Sequence, residues 1–354
     1  MTGRRAQRSR SDELVVQRVA DCADEVARVL GEVGHEAGQY HALSPDPWKV
    51  LWNDDRSAFT LFLEEGRCIF VWRSPVAAPG LELDMLSRTL DYARRRRKTV
   101  IGVLVNDAYC QAGKRLGMKP VWAAHETYHS LPDWTIQGGR REKLRLARNH
   151  ARKLGYEWRE ADPVNNSVDR AALEAIEVQW KQARKQRATD SFQRTSFAEL
   201  SEIRRYFVCD GPIDDSPAAE RGIVAFVGCT PVNAEGWYLQ DPVRLETAPR
   251  GALEGCIIAA MDTLRDAGYK FASNGPLPFW SPDGAEPNAH QLGPFGMRVV
   301  NFFDRQYRFK GINQFRSKLD PDRIEPLYIL ISKRMITPGA ARSVVRVLTK
   351  RLSN

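Results

Sequence analysis

Short runs of β-branched and aromatic residues alternate with segments of helical periodicity along almost the whole chain. That alternation restricts the fold more than any other feature. Residues 58–63 and 68–72 flank Glu64-Glu65-Gly66, a strand–turn–strand pattern. A helix is predicted over 81–96, then a strand over 99–105, a short helix, and a strand over 122–131. Upstream, Ser11 reads as the cap of a first helix, with Asp12 and Glu13 in its first turn. Val15, Val19, Cys22, Val26 and Leu30 form its apolar face, and Gly34 and Gly38 close it. The second half repeats the mixture. Helices are predicted over 169–187, 196–207, 251–267 and 338–352, and strands over 222–229, 235–240, 269–273 and 326–332. This order predicts an α/β (α+β) protein of sheet and helix layers rather than a bundle. No residue-level repeat is visible, yet the two halves read as distant copies of one architecture.

A chain of 354 residues with 43% hydrophobic content is long enough for two modules with substantial cores. The expected division is a basic tail at 1–10, a first domain at 11–137, a connecting helix at 138–155 and a second domain at 156–354. The basic start has no apolar core of the signal-peptide type behind it, and no run of eighteen apolar residues occurs. No transmembrane segment is therefore expected, and any membrane contact would be peripheral. The six cysteines are scattered without a C-x-x-C pair, which argues against structural zinc and fits a reducing cytoplasm. His125 and His129 share a strand face but lack a third ligand, so no metal site is expected. Phosphate-binding P-loop, dinucleotide and serine-hydrolase elbow motifs are all absent. The net charge of +9 is compatible with a polyanionic partner, but ordinary basic enzymes carry as much.

Placement of the charge says more than its sum. In the connecting helix, Arg141, Arg145, Arg148 and Arg152 fall on one face, beside an apolar face of Leu144, Ala147, Ala151 and Leu154. Such a helix docks on one side and offers arginine forks to phosphates on the other; a plain solvated face is the alternative. Further on, Asp241 and Arg244 lie where a strand leaves the sheet, and Pro249-Arg250-Gly251 opens a clear helix. A glycine there lets backbone N–H groups approach an anionic or carbonyl oxygen. Asp241 and Arg244 could bind an ammonium and a phosphate or carbonyl; a loop salt bridge accounts for the same spacing. In the third segment, Tyr307, Phe309 and Phe315 alternate with Lys310, Arg316 and Lys318, a mixture that suits single-stranded nucleic acid or, equally, core aromatics beside surface cations.

Over 138–332 these segments resemble the catalytic domain of bacterial phosphatidylglycerol lysyltransferases. The basic helix carries Lys143, Arg145, Asn149, Ala151 and Gly155 near that family's pattern. Asp241-Pro242-Val243-Arg244 then Pro249, Gly251, Leu253 and Glu254 follow the next motif, and Gly268, Tyr269, Phe271, Gly275 and Pro278 the one after. Tyr307, Phe309, Gly311, Ile312, Phe315, Arg316, Lys318, Leu319 and Pro321 match the last and most specific. Glu254 stands where the family has Asp, Pro242 interrupts its motif, and Asn274 replaces an apolar residue. The resemblance implies tandem acetyltransferase-like (GNAT) folds and an aminoacyl-tRNA donor, with no cofactor because the ester is already activated. For that chemistry the catalytic candidates are Asp241 for the α-ammonium, Arg244 or Lys318 for the oxyanion or terminal phosphate, and Glu254 as proton acceptor unless a tRNA hydroxyl does that work. Arg141, Arg145, Arg148, Arg152, Lys310 and Arg316 would contact tRNA, and Gly251, Asn274, Gly275, Tyr307 and Phe309 would line the pocket. Soluble relatives in natural-product pathways, the valanimycin seryltransferase among them, point to a small-molecule hydroxyl, amine or hydroxylamine as acceptor. A membrane lipid such as phosphatidylglycerol is the alternative acceptor. An acyl-CoA N-acyltransferase, or a non-catalytic tRNA- or membrane-binding module, would be a different class of protein altogether.

Overall fold

The computed structural model describes residues 14–44, 47–183, 202–213, 220–281, 309–333 and 337–349. The first half contains β1 (Val16–Arg18), α1 (Ala23–Val33), β2 (Lys49–Trp52), β3 (Phe59–Glu65), β4 (Cys68–Trp72), α2 (Glu82–Arg95), β5 (Thr99–Val105), α3 (Asp107–Arg115) and β6 (Lys119–Ser130). The helix α4 (Glu142–Lys153) leads to β7 (Glu157–Ala161), α5 (Ser167–Ala183), β8 (Arg205–Pro212), β9 (Arg221–Val232), β10 (Gly236–Arg244), α6 (Ala252–Asp266) and β11 (Phe271–Pro278). The chain ends with α7 (Phe309–Ser317), β12 (Arg323–Ile331) and α8 (Pro338–Thr349).

All twelve strands of the described residues join one sheet in the order β1-β2-β3-β4-β5-β12-β6-β11-β10-β9-β8-β7. The order is the same from either end once each strand of the first half is matched with its counterpart six strands later. Each half carries an antiparallel ladder ending in one parallel pair, β4–β5 and β10–β11. Each half's sixth strand lies in the other half's place: β12 pairs with β5, and β6 pairs with β11. This is the tandem GNAT-like α+β architecture that the sequence resemblance implied.

Side-chain alternation explains how the sheet is covered on both faces. On β3, Phe59, Leu61 and Leu63 pack toward α1 and α8, while Phe62 joins Ile69 and Val71 against α2 and α3. On β8, Phe207 and Cys209 face α6, and Tyr206 and Val208 face α5. The most buried helix is α6, whose Ile257, Ile258, Met261 and Leu264 are at most 2% exposed. Burial of each such side chain contributes ~1.5–3 kcal/mol. The start of α3 is fixed by Asn106, whose side chain accepts the Tyr109 N–H at 2.8 Å.

Two expectations need correcting. The helix predicted from Ser11 begins only at Ala23, because residues 16–18 pair with β2 as a strand; Ser11 itself is outside the described residues. The helix predicted over 196–207 is a strand from Arg205 onward, held by both β7 and β9, and its earlier part falls largely outside the described residues. Strands β2 and β7 were not foreseen. Both are short, and β7 is mostly polar, as its edge position allows.

Candidate functional site

The parallel strands β10 and β11 stay in register for three pairs, Gly236↔Phe271, Trp237↔Ala272 and Tyr238↔Ser273. Beyond them each strand is irregular. The β10 register shifts between Gln240 and Val243, and Asp241 takes a left-handed φ of 52°. The β11 register shifts between Ser273 and Gly275, with φ 86° at Gly275. Two bulged strands that lose their pairing leave a mouth in the sheet, a common place for functional side chains.

Several sequence-predicted residues converge on this mouth. A Cβ at Gly275 would lie 2.9 Å from Arg316 Nη2 and 3.1 Å from the Tyr238 hydroxyl, so glycine makes room for both. Arg316 donates to the Pro276 carbonyl, and Asn313 donates to the Pro278 carbonyl at 2.8 Å. Phe309 meets Phe279 with ring centroids 5.7 Å apart. Thus α7 is fastened along β11. Phe315 and Leu319 pack into the α6 core. Of the two readings of this motif, core aromatics beside cations fits Phe315 and Leu319, and the segment is mostly a docking face. Arg316 is held against β11 rather than presented on a surface, and Lys310 alone of that basic set is exposed. Tyr307 lies outside the described residues.

Asp241 accepts a hydrogen bond from Arg204, whose side chain is fully buried while that of Asp241 is 19% exposed. Gly228 leaves space for that guanidinium. Sequence reasoning missed Arg204, since it precedes a strand that was expected as a helix. Asn274 is 5% exposed, and its Nδ2 group has no acceptor among the described residues; the same is true of Gln240 Nε2 on the facing strand. A buried donor left in this state costs ~1–3 kcal/mol, so each needs an explanation. Arg244 is exposed and donates to the Ala248 carbonyl at 3.3 Å.

At the start of α6, Glu254 is buried and both its oxygens are engaged. Oε2 accepts the Gly251 N–H at 3.2 Å and Oε1 accepts Lys318 Nζ at 2.8 Å. Burial alone would raise its pKa. Lys318 and the helix N–H groups outweigh that and hold the carboxyl below its usual value. Glu254 is therefore a fixed carboxylate that positions Lys318, a poorer proton acceptor than the sequence suggested. Gly251 also differs from expectation. Its N–H is taken by Glu254, and a Cβ there would sit 1.9 Å from the Ala147 carbonyl of α4. Its φ of 103° and lack of a side chain serve the packing of α4 on α6 instead of an open anion site.

The arginine ridge of α4 does not form as predicted. Arg141 is buried, donates to the carbonyls of Leu319, Thr135 and Asp320, and lies 4.4 Å from the Trp134 ring centre. Arg145 bonds the Ile136 and Gly138 carbonyls at 2.7 Å. Arg148 is half-buried and Arg152 exposed. Leu154, expected on the docked face, is exposed together with Leu146. A buried guanidinium must satisfy its donors, and the carbonyls between Thr135 and Asp320 do so for Arg141.

The histidines of β6 occupy separate environments: His125 Nδ1 lies 2.8 Å from the Trp280 carbonyl, whereas His129 is fully buried edge-on to Trp134. Among the described residues no group of three or more His, Cys, Asp or Glu side chains could hold a metal. No helix among them is long and apolar enough to cross a membrane.

A family model described as phosphatidylglycerol lysyltransferase, C-terminal, matches residues 40–331. The chain is 21% identical over 343 residues to the phosphatidylglycerol lysyltransferase of Staphylococcus xylosus, covering 94% of this chain and 39% of that protein. It is 20% identical over 328 residues to that of Staphylococcus haemolyticus (strain JCSC1435), covering 92% of this chain and 38% of that one. The chain thus spans about two-fifths of the length of these curated relatives. In fold it is similar to L-PGS from Bacillus licheniformis, with TM-score 0.74 and 19% identity over 93% of this chain and 97% of that one. The C-terminal domain of a putative lysylphosphatidylglycerol synthetase from Agrobacterium fabrum gives TM-score 0.72 and 18% identity over 92% of this chain and 98% of that domain. A match over most of the chain, on a fold shared at this level, shows that the protein belongs to the phosphatidylglycerol lysyltransferase C-terminal family.

Proposed function

We propose that the chain transfers an aminoacyl group from aminoacyl-tRNA to the hydroxyl of a phosphatidylglycerol-type lipid, with the chemistry at the β10–β11 mouth. The family match over residues 40–331 carries this reading. It favours the lipid over the small-molecule acceptor of a biosynthetic pathway. On this reading the GNAT-like units divide at 138–155, and residues 323–349 return to the first unit's side of the sheet.

The reaction asks for positioning and charge stabilisation. The acceptor hydroxyl attacks the ester carbonyl, a tetrahedral oxyanion forms, and the terminal ribose oxygen leaves and takes up the proton. Asp241, oriented by Arg204 and still partly exposed, suits the α-ammonium. Lys318, pinned by Glu254, has two further N–H groups for the oxyanion or the terminal phosphate. The amide donors of Asn274 and Gln240 suit carbonyl or hydroxyl oxygens of the substrate. Arg152, Lys310 and Arg244 are the exposed cations of the predicted set that remain available for RNA phosphates.

Supplying the protein with lysyl-tRNA and other charged tRNAs carrying labelled amino acids, together with phosphatidylglycerol vesicles, tests the reading. Label should pass into the organic phase. Label passing only into a water-soluble ester or amide when pathway amines are added would restore the small-molecule acceptor. Intact aminoacyl ester under every condition would sink both.

A further inference from the structure

A second polar site lies far from the β10–β11 mouth. At the starting ends of β4 and β5, a cavity of about 310 Å³ is lined by Arg67, Arg97, Thr99, Lys333, Thr337 and Gly339. Three of the six lining residues are cations. None of the three has an ion-pair partner among the described residues, and the nearby Glu65 is engaged by Arg346. This contrasts with neighbouring cations that are neutralised, such as Lys98 on Glu64.

The lining also has neutral donors in suitable places. Thr99 is 2% exposed, and its side chain has no hydrogen-bond partner among the described residues. It lies on the strand face of Ile101, the face that packs against α8. Thr337 precedes α8, a helix of 12 residues, and accepts the Ala340 N–H through its hydroxyl. Pro338 has no N–H, so the first amide of that helix belongs to Gly339, a residue of the cavity wall. The Arg67 stem lies along Gly339, 3.4 Å from where a Cβ would be. A helix N-terminus, a nearly buried hydroxyl and three uncompensated cations around one concavity match a compact oxyanion.

We propose that this cavity binds a terminal phosphate, either inorganic phosphate or a phosphomonoester. Its inner donor is Thr99, its cations are Arg67, Arg97 and Lys333, and its wall is the first turn of α8. A monoester phosphate enters a concave site with three free oxygens. A backbone diester offers only two and must run past on both sides, which favours the terminal group. Five residues of β4 separate this end from the residue Arg73 beyond its other end, ~16 Å of strand, and β12, β6 and β11 stand between β5 and β10, so the site is separate from either parallel-pair mouth.

Calorimetric titration of the whole chain in phosphate-free buffer tests this, with inorganic phosphate, phenyl phosphate and dimethyl phosphate as probes. Inorganic and phenyl phosphate should bind saturably at one site, and dimethyl phosphate should not. The double variant Arg97→Ala/Lys333→Ala changes two exposed side chains, so it should melt like the parent and bind both phosphates at least ~tenfold more weakly. Binding of inorganic phosphate alone would assign the site to the free ion. Equal binding of the diester, binding unchanged in the double variant, or no saturable binding up to ~20 mM would each overturn the proposal. Its failure would leave aminoacyl transfer untouched, since none of these residues belongs to the β10–β11 mouth.

Discussion

The parallel pairs β4–β5 and β10–β11 are counterparts, and on each first strand the fifth residue after the first paired one, Cys68 or Gly236, bends the same way. Arg73, just beyond β4, has φ 59°; Asp241, at the matching place on β10, has φ 52°. The side chains at that bend have opposite charge and different surroundings. Arg73 is 2% exposed, bonds Glu126 Oε2 at 2.8 Å, and packs beside Gly38. Close by, Glu36 accepts the Ser74 N–H and the Asn106 amide, and burial raises its pKa. The first mouth is thus filled by the chain's own side chains. The second keeps Asp241 about one-fifth exposed; buried donors without acceptors among the described residues occur at both, Arg73 Nε at the first and the Asn274 and Gln240 amides at the second. Like bends on both sides of the sheet show that backbone geometry alone does not make a site. What fills the opening decides whether it stabilises the fold or stays available to a substrate. The two mouths also meet: Glu126 on β6 takes Arg73 from one side and the Ser273 hydroxyl from the other.

The sharpest break of this comparison is Glu126→Ala. It leaves Arg73 charged and buried without its partner, so stability should fall by ~3–5 kcal/mol in urea unfolding. A loss below ~1 kcal/mol would mean that the filled mouth is not what holds the first half together.

Next in size is a pH effect at the seam between the halves. Burial, with Arg141 nearby, lowers the His129 pKa from 6.5 to about 4. The unfolded chain therefore takes up this proton first as pH falls. The stability from neutral His129 is complete above pH 6.5 and is lost on the way down to about 4. Between about pH 7.5 and 4.5 this one ring should account for ~2–3 kcal/mol. Unfolding curves at both pH values should converge by that amount in His129→Leu; parallel curves for the two proteins would refute the assignment.

Asp241→Asn keeps an acceptor for Arg204 but removes the charge. We expect transfer from aminoacyl-tRNA to drop by ~100-fold or more, with a smaller change in stability than Glu126→Ala gives. An active Asp241→Asn enzyme would move the chemistry elsewhere. The smallest effect belongs to Arg152→Ala on α4. Stability should stay within ~0.5 kcal/mol, while the salt dependence of tRNA binding loses about one phosphate contact. An unchanged salt slope would confine RNA contact to other surfaces.

Much of the fold was legible because burial imposes period. The strand Thr99–Val105 and the helices α2 and α6 fall within a residue or so of their predicted limits. The place of β12 was not legible: its apolar pattern fits any buried slot, and only long-range pairing puts it between β5 and β6. For the candidate site, the sequence named Asp241, Glu254, Lys318 and Asn274. It did not show that Glu254 holds Lys318, because 64 positions separate them. Helical spacing placed four arginines on one face of α4 but could not say which way that face turns. The carbonyls that claim Arg141 come from both sides of the helix in sequence, Thr135 before it and Leu319 far beyond it. Arg73, Arg204 and Glu126 gave no local signal, because each is defined by a partner from another element.

The exchange of β6 and β12 has a consequence for how the protein is made. The Arg67 N–H reaches the Ser343 hydroxyl across 276 positions, and the first half's core includes Ala340 and Val347. While the ribosome is still adding residues, that half has an unpaired β5 edge and an uncovered face on β3 and β4. It reaches its final core only after β12 and α8 emerge. Such late closure raises the contact order and exposes a sticky edge for the length of translation, so a chaperone's protection should matter most for the part of this protein that is made first.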